Sequence, residues 1–321
     1  MTPWCTLRPT RHSYSSVAKR RSNKMKLLAV PILLMGFVAA VYGSYHFKYS
    51  NAEQKSWNNF STICKGKHQS PIHIFSSTAL PVAIPALEMV GFHNLIPHPI
   101  WITNNGHSVE IKSGKKYAKV FGALLKGEYE VEGVHFHWGR NNDRGSEHVI
   151  NDMRFTMEMH VVTRNSRYAT MNDALNHTDG LAVLAFFFDV RERDNHALRP
   201  VVREMRLIRP EGSRTTMSHS LTLASLLPTD TDLFYTYRGS LTTPPCSEAV
   251  TWILFPDPMP ISYSQVQRFR ELRSEDEVLV DNYRHLQDIG RRKVFVRRSP
   301  QEIDDEGPEA PFSYSSPDFW E

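Results

Sequence analysis

An extended strand throws successive side chains to opposite faces. The stretch Val134-His135-Phe136-His137-Trp138-Gly139 therefore sets two histidines on one face, about 7 Å apart along the strand, and Phe136 on the other. Two readings stand at this point: a pair able to grip one metal ion, or two of the chain's 15 histidines on a polar strand face. Gly145-Ser146-Glu147-His148 follows, and then a second strand-like run, Phe155 to Val162, in which alternation puts Glu158 and His160 on a common face. His160 would bring the histidines to three.

Far downstream lies Ser240-Leu241-Thr242-Thr243-Pro244-Pro245-Cys246, followed by the strand-like run Ala249 to Phe255. Upstream are Gln69-Ser70-Pro71-Ile72 and Asn104-Asn105-Gly106-His107. With the His-Phe-His-Trp-Gly, Gly-Ser-Glu-His and Glu-x-His stretches, these make six motifs in one order. In that order the sequence, from about His46 to Phe295, resembles an alpha-class carbonic anhydrase of the extracellular type, with a signal sequence and one disulfide.

The resemblance implies zinc-dependent, reversible hydration of carbon dioxide to bicarbonate and a proton by a zinc-held hydroxide, with sensitivity to sulfonamide-type inhibitors. His135, His137 and His160 become the zinc ligands, a three-histidine set with an open fourth position rather than a closed, cysteine-rich structural site. Glu158 and the backbone carbonyl of Asn282 become the groups that orient ligands. Thr242 and Glu147 match the family's gating pair, and His107 its proton shuttle, with Asn105 and Tyr49 along the water path. Val162, Val183, Leu241, Thr243, Val250 and Trp252 match substrate-pocket positions; the five apolar ones would otherwise be read as sheet core. Cys64 and Cys246 match a disulfide of extracellular members, which would tie the active-site loop to the N-terminal segment.

Three positions depart from the pattern. Gly133 stands where the family usually has a glutamine supporting the first ligand, so the outer hold on His135 should be weakened. Glu110 replaces a usual Asn or Gln, adding negative charge near the cavity, and His73 replaces an acid or Asn away from the metal. A relative that kept the fold as a weak or inactive binding module is the alternative, but such relatives typically lose ligand histidines and all three are here.

The remaining chain reads as one mainly β domain, 44–297, with peripheral helices; the resemblance adds a large central, mostly antiparallel twisted sheet. Strand-like runs recur at Val109 to Ile111, Leu181 to Val190 and Thr231 to Tyr237, and helical periodicity at Asn195 to Leu207 and Ser264 to Leu272. With 40% hydrophobic and 22% charged residues, 321 residues can bury an ample core. The net charge of +4 is misleading, because seven of the 38 basic residues sit in a leader, 1–26, that has no acid. The rest carries 31 basic against 34 acidic residues, which offers nucleic acid no net basic partner.

After the leader, 27–43 is an apolar run containing Pro31 and Gly36, shorter than a comfortable bilayer span. It suits a signal-sequence core if translation starts at Met25, and an uncleaved single-pass anchor, the chain's one contact with a membrane, if it starts at Met1. The Arg- and Ser-rich leader leaves a mitochondrial alternative. An oxidising, secreted or extracellular setting also fits the even cysteine pair in the domain and the glycosylation sequons at Asn59 and Asn176. The segment 298–321 is acidic and rich in Pro and Ser, and reads as a flexible tail.

Overall fold

Alternating apolar and polar residues make strands with two unlike faces, and here the two faces divide core from site. The computed structural model describes residues 47–275, 277–297 and 320. The chain divides into Met1–Ser44 and Tyr45–Glu321. The expected leader and apolar segment lie outside the described residues, as does the expected tail apart from Trp320, whose ring meets that of Phe295 edge-on at 5.5 Å. No helix among the described residues is long and apolar enough to cross a membrane.

Among the described residues twelve strands join in one sheet. In chain order they are β1 (Leu80–Val82), β2 (Leu87–Val90), β3 (Ile100–Asn104), β4 (Val109–Ser113), β5 (Lys119–Gly122) and β6 (Tyr129–Trp138). Then come β7 (Met157–Asn165), β8 (Leu181–Arg191), β9 (Arg214–Thr216), β10 (Tyr235–Gly239), β11 (Val250–Ser262) and β12 (Phe295–Arg297). The spatial order is β9-β3-β4-β6-β7-β8-β11-β10-β12-β1, with β5 hydrogen-bonded to β6 and β2 to β5. Within this sheet β8 runs parallel to β11 and β12 to β1; the other pairings are antiparallel, as expected.

Two of the element boundaries that differ from the sequence reading have a clear physical cause. The run Thr231 to Tyr237 becomes strand only at Tyr235, where pairing with Leu254 begins. The strand from Ala249 does not stop at Phe255 but continues to Ser262, because the proline-rich Pro256-Asp257-Pro258 falls in an irregularity where the partner register jumps from Phe255 to Met259. Prolines, which lack the ladder donor, are tolerated at such breaks.

One face of the sheet is mainly apolar. Val134, Phe136 and Trp138 of β6 lie among Met157, Met159 and Val161 of β7 and Leu184 and Phe186 of β8. Helix α1 (Tyr263–Arg270) opens with a reciprocal Ser262/Gln265 cap and lays Val266 and Phe269 on this face; the Phe269 ring is 5.3 Å from Phe136 and 5.4 Å from Trp138. Truncating so buried a phenylalanine to alanine costs about 3–5 kcal/mol. This layer backs the ligand strands rigidly, since a histidine on β6 cannot move without dragging Phe136 through close-packed neighbours.

The opposite face carries the site, and the register reads it out in rows. One row crosses the strands as Glu110, His135, His160, Ala185 and Leu254. The adjacent row runs Gly133, Val162, Val183, Trp252 and Tyr237.

Candidate metal centre

His135 and His160 are direct cross-strand partners, and His137 follows two residues on, opposite Glu158. Their rings converge. Nδ1 of His160 lies 3.2 Å from Nε2 of His135 and 3.2 Å from Nε2 of His137. Three nitrogens held tetrahedrally at the usual zinc distance of about 2.0–2.1 Å stand about 3.3 Å apart, which both spacings to His160 match. Burial drives the His135 imidazole well below its ordinary pKa, and repulsion from His160, His137 and Lys112 adds to the effect. Burial also lowers His137, against the opposing pull of Glu147. Neutral imidazoles are the form that a cation needs.

The outward-facing nitrogens of two ligands are held. Nδ1 of His137 lies 2.7 Å from the carbonyl oxygen of Asn282, and Nε2 of His160 2.7 Å from Glu158 Oε1. Asn282 does more than supply its carbonyl. Its Oδ1 accepts from the Trp138 N–H at 2.7 Å, and its Nδ2 donates to the carbonyls of His107 and Phe136. Glu158 is fully buried; burial alone would raise its pKa, but the charge and hydrogen bond of His148, with the hydrogen bond of His160, hold the carboxyl well below the usual range.

Sequence reasoning missed what lies behind Glu158. Its Oε2 accepts from the backbone N–H groups of Glu147 and His148, and its Oε1 also meets His148 Nδ1 at 2.7 Å. His148 Nε2 reaches the Tyr237 hydroxyl at 2.7 Å, and Tyr237 donates to Ser70 Oγ at 2.8 Å. The motif Gln69-Ser70-Pro71-Ile72 and the histidine ending Gly-Ser-Glu-His were the signal, since both are built around a buried side chain in this network. The same three residues that make His148, Glu158 and His160 a conceivable second metal cluster are thus already committed to hydrogen bonds with one another.

Glu147 is fully buried, and its Oε1 accepts from the Arg284 N–H at 2.9 Å. Its Oε2 has no hydrogen-bond partner among the described residues and points to within 3.4 Å of His137 Nε2. A buried carboxylate oxygen left open beside the ligand nitrogens is a second mark of a site shaped for a polar group. Thr242 is buried, but the Thr242–Glu147 hydrogen bond implied by the family match is not formed.

The apolar positions gather in one cluster. Val183, Val250 and Trp252 belong to one buried cluster, with Val162 and Leu241 packed against it. The Trp252 indole N–H donates to the carbonyl of Ser240, and its ring stands 4.8 Å from that of His160. Thr243 is half-buried, its carbonyl accepting from the Cys246 N–H within the loop. Cys64 and Cys246 are bridged with Cα atoms 4.9 Å apart, and Ser61 Oγ and Gln69 Nε2 fasten the same loop through the carbonyls of Pro245 and Cys246. His107 stacks on Phe47, centroids 3.8 Å apart, with the Tyr49 ring edge-on at 6.5 Å. Asn105 is exposed and its Oδ1 accepts from the His107 and Ser108 N–H groups, so that oxygen shapes the turn rather than facing the cavity. His73 contacts Phe75 and Asp152.

A family model for eukaryotic-type carbonic anhydrase matches residues 52–298. The chain belongs to that family. It is 36% identical over 247 residues to mouse (Mus musculus) carbonic anhydrase 7, covering 74% of this chain and 92% of the relative. It is 32% identical over 283 residues to carbonic anhydrase 6 of Bos taurus, covering 84% and 87%, and 31% identical over 279 residues to carbonic anhydrase 15 of Mus musculus, covering 82% and 86%. Carbonic anhydrases are zinc enzymes, and the three converging histidines are the residues here that can hold the ion.

Proposed function

We propose that this carbonic anhydrase catalyses the zinc-dependent, reversible hydration of carbon dioxide to bicarbonate and a proton. The observation that carries the reading is the 3.2 Å spacing of Nδ1 of His160 from Nε2 of both His135 and His137. Bound there, zinc lowers the pKa of a coordinated water to about 7 and so supplies a nucleophile at neutral pH.

The chain's own residues do the rest. His135, His137 and His160 hold the ion, while Asn282 and Glu158 fix the orientation of the second and third rings. Glu147 accepts the hydroxyl proton of Thr242, which leaves the Thr242 oxygen as an acceptor that aims the reacting water. Glu147 Oε2 is open to that bond. Val162, Val183, Leu241, Val250 and Trp252 form a dry wall that suits a small apolar substrate, with Thr243 at its edge. His107 passes the proton outward along a water path beside Tyr49 and Asn105, as a histidine ring can by taking a proton on one nitrogen and releasing one from the other.

The disulfide supports an oxidising compartment, and so a secreted or membrane-anchored protein with an extracellular domain. Asn59 and Asn176 are both exposed, as glycan acceptors must be. The mitochondrial alternative has no structural support. The binding-module reading is disfavoured because all three ligands, Glu147, Thr242 and His107 are present. A stopped-flow carbon dioxide hydration assay on the zinc-loaded chain tests the proposal: hydration abolished by a sulfonamide supports it, and hydration no faster than buffer contradicts it.

A further inference from the structure

Gly133 lies two residues before His135 on the site face of β6, and its backbone is not among those with positive φ, so conformation does not require glycine there. Space does. An added Cβ would lie 2.9 Å from Lys112 Cγ and 3.3 Å from Lys112 Cε, with the Ile111 carbonyl oxygen at 3.1 Å. The aliphatic stem of Lys112 therefore crosses the notch that the missing side chain leaves. Its ammonium ends on Glu110 Oε1 at 2.7 Å, and Glu110 is the direct cross-strand partner of His135. Side chains so paired start about 4.5–5.5 Å apart on the same face.

His135 is the ligand that needs such help. Its Nδ1 makes no hydrogen bond among the described residues, whereas the outer nitrogens of His137 and His160 are both held at 2.7 Å. An imidazole without an outer partner turns easily about χ2, where the torsional preference is broad, and turning carries Nε2 away from its two neighbours.

We propose that Lys112, strapped to Glu110, is a positioning residue for the ligand His135, replacing by packing the hold that a side chain at position 133 would give. The inference rests on the zinc reading above. Lys112 is about half exposed, and an ion pair so placed adds little to folding, so its removal leaves the domain intact.

The test uses the full zinc-loaded chain and reads the rate of zinc loss to excess chelator. Lys112→Ala is expected to speed the loss by about 10-fold or more, the usual scale for losing support of a ligand. Adding Gly133→Gln to Lys112→Ala, where the lysine stem no longer fills the notch and only the Ile111 carbonyl oxygen stays close, is expected to bring the rate back to within a few-fold of the parent. A Lys112→Ala chain that loses zinc at the parental rate overturns the proposal, as does a double variant no slower than the single one. A parent chain that takes up no zinc overturns the zinc reading itself, and this inference with it.

Discussion

Glu158 and His160 stand two residues apart on β7, and the Glu158 Oε1 atom lies 2.7 Å from His160 Nε2. The same oxygen meets His148 Nδ1, while Oε2 takes two backbone N–H groups, so one buried carboxylate fixes a ligand ring and the loop that carries Glu147. Glu158→Ala should therefore weaken zinc binding by about 10–100-fold, measured by competition with a chelator of known affinity. An unchanged affinity would remove Glu158 from the support of the site.

Thr242→Ala removes the hydroxyl proposed to aim the reacting water and leaves every ligand contact in place. Turnover should fall by about 100-fold, the scale set by misplacing a reacting group by about 1 Å, with zinc content unchanged. Equal turnover in the variant would strip Thr242 of its role.

The Cys64–Cys246 bridge spans a sequence separation of 182 residues. Replacing both cysteines with serine should lower stability by about 2–5 kcal/mol in urea unfolding, with the midpoint of the native chain shifting the same way under reductant. The loop from Leu241 to Ser247 keeps its own hydrogen bonds, so the loss should appear in global unfolding before it appears in zinc content.

Acid should destabilise the metal-free domain. The folded pKa values of His135 and His137 are depressed, so below the unfolded value of about 6.5 the unfolded chain binds protons that the folded chain refuses. Their contribution is present above about pH 6.5 and is lost as pH falls below it. Glu158, also depressed, adds a second loss below its ordinary value of about 4.5. Chemical denaturation of metal-free protein between pH 8 and pH 4 should show stability falling with pH, with a shallower slope in a His135→Gln/His137→Gln variant.

The three ligands were legible because strand alternation is rigid: once His135 and His137 are on a strand, their shared face follows, and Glu158 with His160 repeats the logic. The motif order carried the disulfide and the apolar wall. Other features were hidden because they depend on where distant segments meet. The carbonyl of Asn282 came with the motif match, but the three contacts of its side-chain amide did not, because side-chain identity alone does not announce them. Nothing in the sequence singles out Lys112; its place follows only once register sets Glu110 beside His135 and the glycine at 133 leaves its stem somewhere to lie. The strand expected from Thr231 begins at Tyr235, and the prolines after Phe255 end nothing, because a register shift absorbs them.

X-ray absorption at the zinc edge, with metal analysis of the purified chain, decides whether the three histidines hold the ion. One zinc per chain is expected, bound by three nitrogens at about 2.0–2.1 Å and one oxygen from solvent, and lost on His160→Ala. A chain that binds no zinc, or a fourth protein ligand closing the site, would contradict it.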